Sequence, residues 1–344
     1  MVTKIGLDLG YANITLSDVT TEIYREPSVA LIHKNPLPNR RRIIAVGDSA
    51  VTYNADASDG ILVRPFKNGM FFDHQITREI IGHAVSAVKP AENIRAVIGV
   101  PSDILPKQER ELFSMLADAG ISTAYSVVRS IAAVIGAGYS PSISAVSVNI
   151  GAMSTEVAVL HNGSILYMNR AVIGGEDFDK AVKQYVFEQG DVNISLQVAR
   201  AIKERLGAVW KGRPNDSIDI EGTLALTGNK LRMNVSTEDI VGVFEKPIQE
   251  LINVIVDGLK HIPSDAVEAV LENGIILTGG AAELYGLEIL LSKVLGISVS
   301  KPADAIDAVG KGLARINGFI PTKNKNQGKN ITAQLSKMYN DSKK

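Results

Sequence analysis

The chain has 344 residues, room for two domains, and carries 36 Lys+Arg against 37 Asp+Glu for a net charge of −1. That balance argues against a protein that grips nucleic acid by bulk charge, and no direct nucleic-acid partner is expected. With no Cys anywhere, a disulfide scaffold, a thiol nucleophile and thiolate-built zinc or iron–sulfur sites are excluded, which is compatible with the cytosol. No apolar run reaches the ~18 residues of a spanning helix. Asp8 interrupts the only early apolar run, Ile5 to Leu9, so no signal peptide is read.

The chain opens as a strand, Lys4 to Leu9, a turn at Gly10-Tyr11-Ala12-Asn13, and a returning strand, Ile14 to Leu16. Further strands are expected at Ser28–His33 and Arg42–Val46. The stretch from Asp59 to Asp73 holds Gly60, Pro65 and Gly69 and reads mostly as loop. A helix from Thr77 to Val88, a buried strand at Ala96–Val100 and an amphipathic helix at Lys107–Ala119 follow, with Gly120 at the helix end. In the second half, Ala145–Ile150 is a strand, Gly151–Ser154 a turn and Thr155–Leu160 a returning strand. His161-Asn162-Gly163 is then a tight hairpin turn. Helices are expected at Asp177–Glu188 and Ser195–Val209, strand-like segments over 212–236, and one long helix at Glu238–Ile262. A buried strand at Gly274–Leu277, a helix at Leu284–Leu295, a short strand at Ser298–Ser300 and a last helix at Ala305–Ile316 complete the body. The tail from Pro321 is Lys-rich and poor in apolar residues, and reads as mobile, without a core of its own.

The informative feature is an internal echo. Ile5-Gly6-Leu7-Asp8-Leu9-Gly10 recurs as Val146-Ser147-Val148-Asn149-Ile150-Gly151, and Ala96–Pro101 has a loose counterpart in Gly274–Gly279. Each half carries a glycine-turned hairpin and later a strand–glycine–helix unit, and two such halves would face one another across a cleft. The turn at Gly10 and Ala12 exposes successive backbone N–H groups, which suit phosphate oxygens, and Gly151-Ala152 offers the same. Asp8, at its strand end, is placed to hold a hydrated Mg²⁺ beside substrate phosphates. Thr278-Gly279-Gly280-Ala281 lies between strand and helix, where ligands commonly sit in α/β folds. There is no P-loop, no G-x-G-x-x-G after the first strand, no nucleophile elbow and no H-E-x-x-H pair.

Taken in order, these segments resemble the actin superfamily in its MreB-type bacterial form. Asp8-Leu9-Gly10-Tyr11-Ala12-Asn13 is similar to its first phosphate loop, and Arg64-Pro65-Phe66-Lys67-Asn68-Gly69 to its RP-x-K-x-G segment. Val100-Pro101 with Glu109-Arg110, and Ile135-Gly136-Ala137-Gly138, match the next blocks. Ile150-Gly151-Ala152-Met153-Ser154-Thr155 is similar to the second phosphate loop, and Ile173-Gly174-Gly175 with Phe178-Asp179 to the turn and helix after it. Ala199–Glu204, with Lys203 and Glu204, resembles the nucleoside-contacting helix, and Thr278–Ala281 with Leu284 and Gly286-Leu287 the adenosine motif. The resemblance spans roughly residues 4–318. It implies an α/β fold of the actin and heat-shock-chaperone ATPase kind, with two pseudo-symmetric domains, four subdomains, and ATP with Mg²⁺ in the cleft. Domain I would take 1–144, with a small subdomain at about 25–75, plus a returning helix at 301–320. Domain II would take 145–300, with a small subdomain at about 180–245, leaving 321–344 as a flexible basic tail.

The departures concern hydrolysis. Where MreB-type proteins place a Glu that orients the attacking water, this chain has Arg129, which cannot accept a proton but could hold a γ-phosphate. The usual Asp of the second loop is Asn149, Met153 adds bulk to that loop, Tyr11 replaces a small hydroxyl residue, and Arg200 stands where Glu is usual. Either hydrolysis is slow or lost, or another group orients the water. The implied function is a filament-forming, ATP-binding cytoskeletal protein whose partner is itself, head to tail, with cargo or adaptor unknown. A specialised actin that segregates plasmids or positions organelles is the alternative, and an actin-fold chaperone or reactivating ATPase the third. Only Met1-Val2-Thr3 precede the first strand, so an N-terminal membrane helix is not expected. Ile104-Leu105, the Arg40-Arg41-Arg42 cluster or the Lys-rich tail could instead meet the cytoplasmic membrane surface, or each could be plain surface.

Overall fold

The structure is a computed structural model that describes residues 2–34, 42–54, 60–67, 70–89, 93–321 and 328–343. Arg40, Arg41, Asn68, Gly69, Lys323, Lys325 and Lys344 lie outside the described residues. The strands are β1 (Thr3–Leu9), β2 (Asn13–Ser17), β3 (Glu22–Pro27), β4 (Ala30–His33), β5 (Ile43–Val46), β6 (Gly60–Val63), β7 (Phe66–Lys67), β8 (Met70–Phe71), β9 (Ile94–Val100), β10 (Ile121–Val128), β11 (Ala145–Ile150), β12 (Thr155–His161), β13 (Ser164–Ala171), β14 (Val192–Asn193), β15 (Ser217–Leu224), β16 (Lys230–Ser236), β17 (Ile275–Thr278) and β18 (Val299–Ser300). The helices are α1 (Gly47–Asn54), α2 (His74–Ser86), α3 (Pro106–Asp118), α4 (Arg129–Gly136), α5 (Gly175–Gly190), α6 (Leu196–Leu206), α7 (Thr237–Ile240), α8 (Glu245–Leu259), α9 (Val267–Asn273), α10 (Leu287–Leu295), α11 (Ala308–Phe319) and α12 (Leu335–Ser342). The chain divides into two compact units. Unit 1 holds 1–143, 160–165 and 307–344; unit 2 holds 144–159 and 166–306.

Unit 1 is built on a five-stranded sheet of order β10-β9-β1-β2-β3. β10, β9 and β1 run parallel, and the β1–β2 hairpin turns the sheet antiparallel. β1 and β9 read as continuous apolar runs because helices cover both faces. Ile5, Leu7, Ile14, Leu16 and Ile98 share one core with Ile80 and Ile81 of α2 and Leu116 of α3. α11 crosses α4 at backbone contact: a Cβ on Gly136 would lie 1.7 Å from Ala308 O, and one on Gly312 1.8 Å from Ala132 O. The 59–73 stretch is less irregular than expected, since β6 pairs with β4 and β7 with β8.

Unit 2 repeats the plan. Its five-stranded sheet has the order β13-β12-β11-β17-β18, and β11 is parallel to β17 as β1 is to β9. The two echoed segments therefore occupy equivalent central strands, and their loose counterparts are the neighbouring parallel strands. Asn162 and Gly163 both have positive φ, the backbone that the expected Asn-Gly hairpin turn requires. Val148, Phe178, Val182, Ile202, Leu251 and Leu277 form the core.

Two further expectations need correction. The single helix at Glu238–Ile262 is two, α7 and α8. The Ser236 side chain caps α7, and Gly242, at φ +89°, breaks the backbone between them although the apolar stripe runs through. The tail is also not free over 328–343. Asn330 bridges Ser126 of β10, the Ile331 N–H donates to Ser126 O at 3.0 Å, and Ile331 and Leu335 are fully buried. Phe319 and Tyr339 meet edge to face. Two apolar anchors suffice to dock a short segment whose average composition is polar.

Candidate functional site

In unit 1, Asp8 lies near the end of β1, Gly10, Tyr11 and Ala12 form the turn, and Asn13 opens β2. The turn is held from outside. Ser28 donates its hydroxyl to Gly10 O at 2.7 Å and its N–H to Ala12 O at 2.9 Å. The Arg64 guanidinium donates to Tyr11 O and Ala12 O, at 3.1 and 3.2 Å, and lies over the Tyr11 ring. Arg64 of the Arg-Pro segment thus ties down the turn's carbonyls and packs on the Tyr11 side chain. The Ala12 N–H meets no acceptor among the described residues.

Arg129 is the first residue of α4. Its Nε donates to Asp8 Oδ1 at 3.1 Å and its Nη2 to Leu9 O at 2.7 Å. The carboxylate expected to hold Mg²⁺ is therefore in an ion pair with the residue expected to meet the γ-phosphate.

In unit 2, segments far apart in sequence come together. The Gly151–Ser154 turn is closed by Gly151 N–H donating to Ser154 O at 2.9 Å. The amides of Ala152 and Met153 at its tip have no acceptor among the described residues. The Gly151 and Ala152 carbonyls accept from the N–H groups of Gly175 and Glu176, at 2.9 and 2.7 Å. The loop thus satisfies the start of α5, and the amides left for an anion are those of the loop. Gly174 and Gly279 are required by close approach. A Cβ on Gly174 would lie 2.7 Å from Gly151 O, and one on Gly279, at φ +92°, 2.3 Å from Ile150 O. Gly175 faces Ala281 and Lys203, with Gly280 opening the short 3-10 turn Gly280–Glu283 that carries Ala281. Asn149 is buried at the end of β11 and accepts the Thr278 hydroxyl at 3.3 Å.

α6 is fixed by charge. Lys203 Nζ pairs with Asp179 Oδ1 at 2.6 Å and donates to Gly175 O at 3.0 Å, while Arg200 Nε pairs with Asp179 Oδ2 at 3.2 Å. Asp179 is fully buried. Arg200, where the family motif has Glu, thus serves as the second partner of that carboxylate. Glu204 is exposed on the same helix and takes no part in this cluster. Arg213, which carries no local sequence signal, closes the C-terminal end of α6 by donating to the carbonyls of Arg205 and Gly207. Nearby, side-chain hydrogen bonds from Arg205 hold the Asp216 carboxyl down to about 2.

A family model described as MreB/Mbl protein matches residues 2–325. The chain belongs to the MreB/Mbl family. The cell shape-determining protein MreB of Escherichia coli K12 is 27% identical over 317 residues, covering 90% of this chain and 91% of the relative. Among solved structures, MreB5 of Spiroplasma citri bound to ADP superposes with a TM-score of 0.83 at 21% identity, covering 90% of this chain and 94% of its own. The chain of the MamK double helical filament gives 0.79 at 23% identity, over 93% and 100%. The fold is the actin-like one that the motifs imply. Within an MreB/Mbl chain, the amides of the Gly151–Ser154 turn and the glycine-lined approaches around it suit a polyphosphate. A metal is served less well: Asp8 is engaged by Arg129, Asn149 is no carboxylate, and no cluster of three or more His, Cys, Asp or Glu able to hold an ion occurs among the described residues. No helix among the described residues is long and apolar enough to cross a membrane. Ile104 packs against the unit 1 core and Leu105 is exposed, while Arg42 pairs with Asp73.

Proposed function

We propose that this chain binds an adenine nucleotide and assembles with copies of itself into a cytoplasmic filament of the cell-shape kind. The observation that carries this is the repeated glycine-turned hairpin, set on equivalent central strands of two sheets of the same order, in a chain of the MreB/Mbl family. The Ala152 and Met153 amides and the Gly10–Ala12 turn are assigned to phosphate. Lys203 and the Gly279–Ala281 turn are assigned to the nucleoside end. MreB5, of this fold, binds ADP, and MamK, also of this fold, forms a double helical filament. A head-to-tail contact that does not close on itself gives such a polymer.

Hydrolysis is assigned as slow. Arg129 cannot accept a proton from water, so it cannot act as the general base, and its Nε and one Nη2 N–H are already engaged by Asp8 and Leu9 O. Electron microscopy and phosphate release, measured on purified protein with ATP and Mg²⁺, test both parts. Filaments with little phosphate released are expected. Monodisperse particles overturn the filament, and turnover like that of other bacterial actins overturns the slow hydrolysis.

A further inference from the structure

A polyphosphate brought to the Gly10–Ala12 turn meets the Asp8 carboxylate, and two anions a few ångströms apart near a protein surface repel. Phosphate-binding sites ordinarily resolve this with Mg²⁺, shared between a carboxylate and the phosphates. Here a cation belonging to the protein already sits there. Arg129 is bonded to Asp8 Oδ1 and Leu9 O, and the two side chains are only 12% and 23% exposed. The pair is built in. Gly99 stands beside Asp8 in the ladder, and a Cβ there would lie 3.1 Å from Arg129 Cγ and 3.4 Å from Asp8 Oδ1. The missing side chain is the space through which the arginine stem passes. Arg129 also occupies the first residue of α4, where the helix dipole disfavours a cation. An arginine is stable at that position because Asp8 compensates it. Two of its five N–H donors are spent on Asp8 and Leu9 O, and the rest form a planar fork suited to phosphate oxygens.

We infer that Arg129 is the resident counter-cation of this chain: paired with Asp8, it neutralises the first phosphate loop, so that adenine nucleotide binds without a divalent ion. The inference rests on the nucleotide-binding reading above and deepens it. It departs from the expectation that Asp8 holds Mg²⁺.

The test is calorimetric titration of ATP into the full chain, in excess EDTA and in excess Mg²⁺. For the unaltered protein the two affinities should agree within about threefold. Arg129→Ala should weaken binding in EDTA by about tenfold or more, the scale of losing a charge-assisted contact, and Mg²⁺ should restore much of it because Asp8 is then free. Arg129→Lys, which keeps the charge, should fall between. A tenfold or greater dependence of the unaltered protein on Mg²⁺ overturns the inference while leaving nucleotide binding intact, and needs no variant to fold. Equal binding by Arg129→Ala in EDTA also overturns it. Absence of binding in both buffers overturns the nucleotide reading, and the inference with it.

Discussion

Asp179→Asn should destabilise unit 2 by a margin that can be read from the structure. The carboxylate is fully buried and shared by Lys203 and Arg200, whose side chains are 13% and 31% exposed. Removing one member of a buried ion pair costs about 3–5 kcal/mol, because the remaining charge stays desolvated. Two features move this chain to the lower end. Lys203 keeps its bond to Gly175 O, and Arg200 can turn toward water. Asn preserves the shape, so cavity formation adds nothing. The expected loss is ~3 kcal/mol, or roughly 6–12 °C in Tm for a unit of this size. Urea unfolding monitored by circular dichroism should show a lower midpoint at an unchanged slope. Adding Lys203→Met should recover part of the loss, since the stranded cation is then gone, giving a coupling of about 0.5–3 kcal/mol in the cycle. A Tm shift under about 2 °C, or a double variant as unstable as the sum of the singles, would refute a buried, mutually dependent cluster.

Gly279→Ala places a methyl group 2.3 Å from Ile150 O at a φ of +92°, and should cost at least about 1–3 kcal/mol and abolish ATP binding; unchanged thermal stability would count against it. Ile331→Asp removes a fully buried anchor of the tail, worth about 1.5–3 kcal/mol. Limited proteolysis should then cut beyond residue 321 markedly faster, and an unaltered cleavage rate would contradict the docking. The Asp216 carboxyl is lowered from 3.8 to about 2, first by side-chain hydrogen bonds from Arg205. Its stabilising effect is therefore complete above about pH 4 and lost as pH falls from 4 toward 2. Asp216→Asn should flatten the stability profile in that window, and an identical acid limb would show that the pair contributes nothing.

Much of the fold was legible because its signals are local. The β1–β2 hairpin showed in a short apolar run ending at Gly10, and the Asn162-Gly163 turn in a dipeptide that tolerates positive φ. The echo between Ile5–Gly10 and Val146–Gly151 identified the two central strands. β10 carries no clear strand signal because Ser122, Thr123 and Ser126 interrupt its apolar pattern, and its pairing with β9 supplies what its composition lacks. The continuous stripe of 238–262 concealed a break, since periodicity reports burial and a positive-φ glycine interrupts the backbone without interrupting the stripe. The docking of the tail is hidden from sequence because average composition masks two well-placed apolar side chains.

The site divides the same way. Sequence alone located the glycine turns at Gly10 and Gly151, while the contacts that hold them, from Ser28, Arg64 and the start of α5, come from elsewhere in the chain. The resemblance implies that Arg129 and Asn149 stand at positions that are acidic in MreB-type proteins. Only tertiary structure decided what those replacements do. The parallel register that sets Asp8 beside Gly99, and Gly99 beside Val127, brings Arg129 onto a carboxylate 121 residues away. The packing of α6 on α5 likewise decides that Arg200 and Lys203 share Asp179. Charge partners are chosen by sheet register and helix packing, which no local pattern encodes, whereas turns and periodicity follow from each segment's own backbone chemistry.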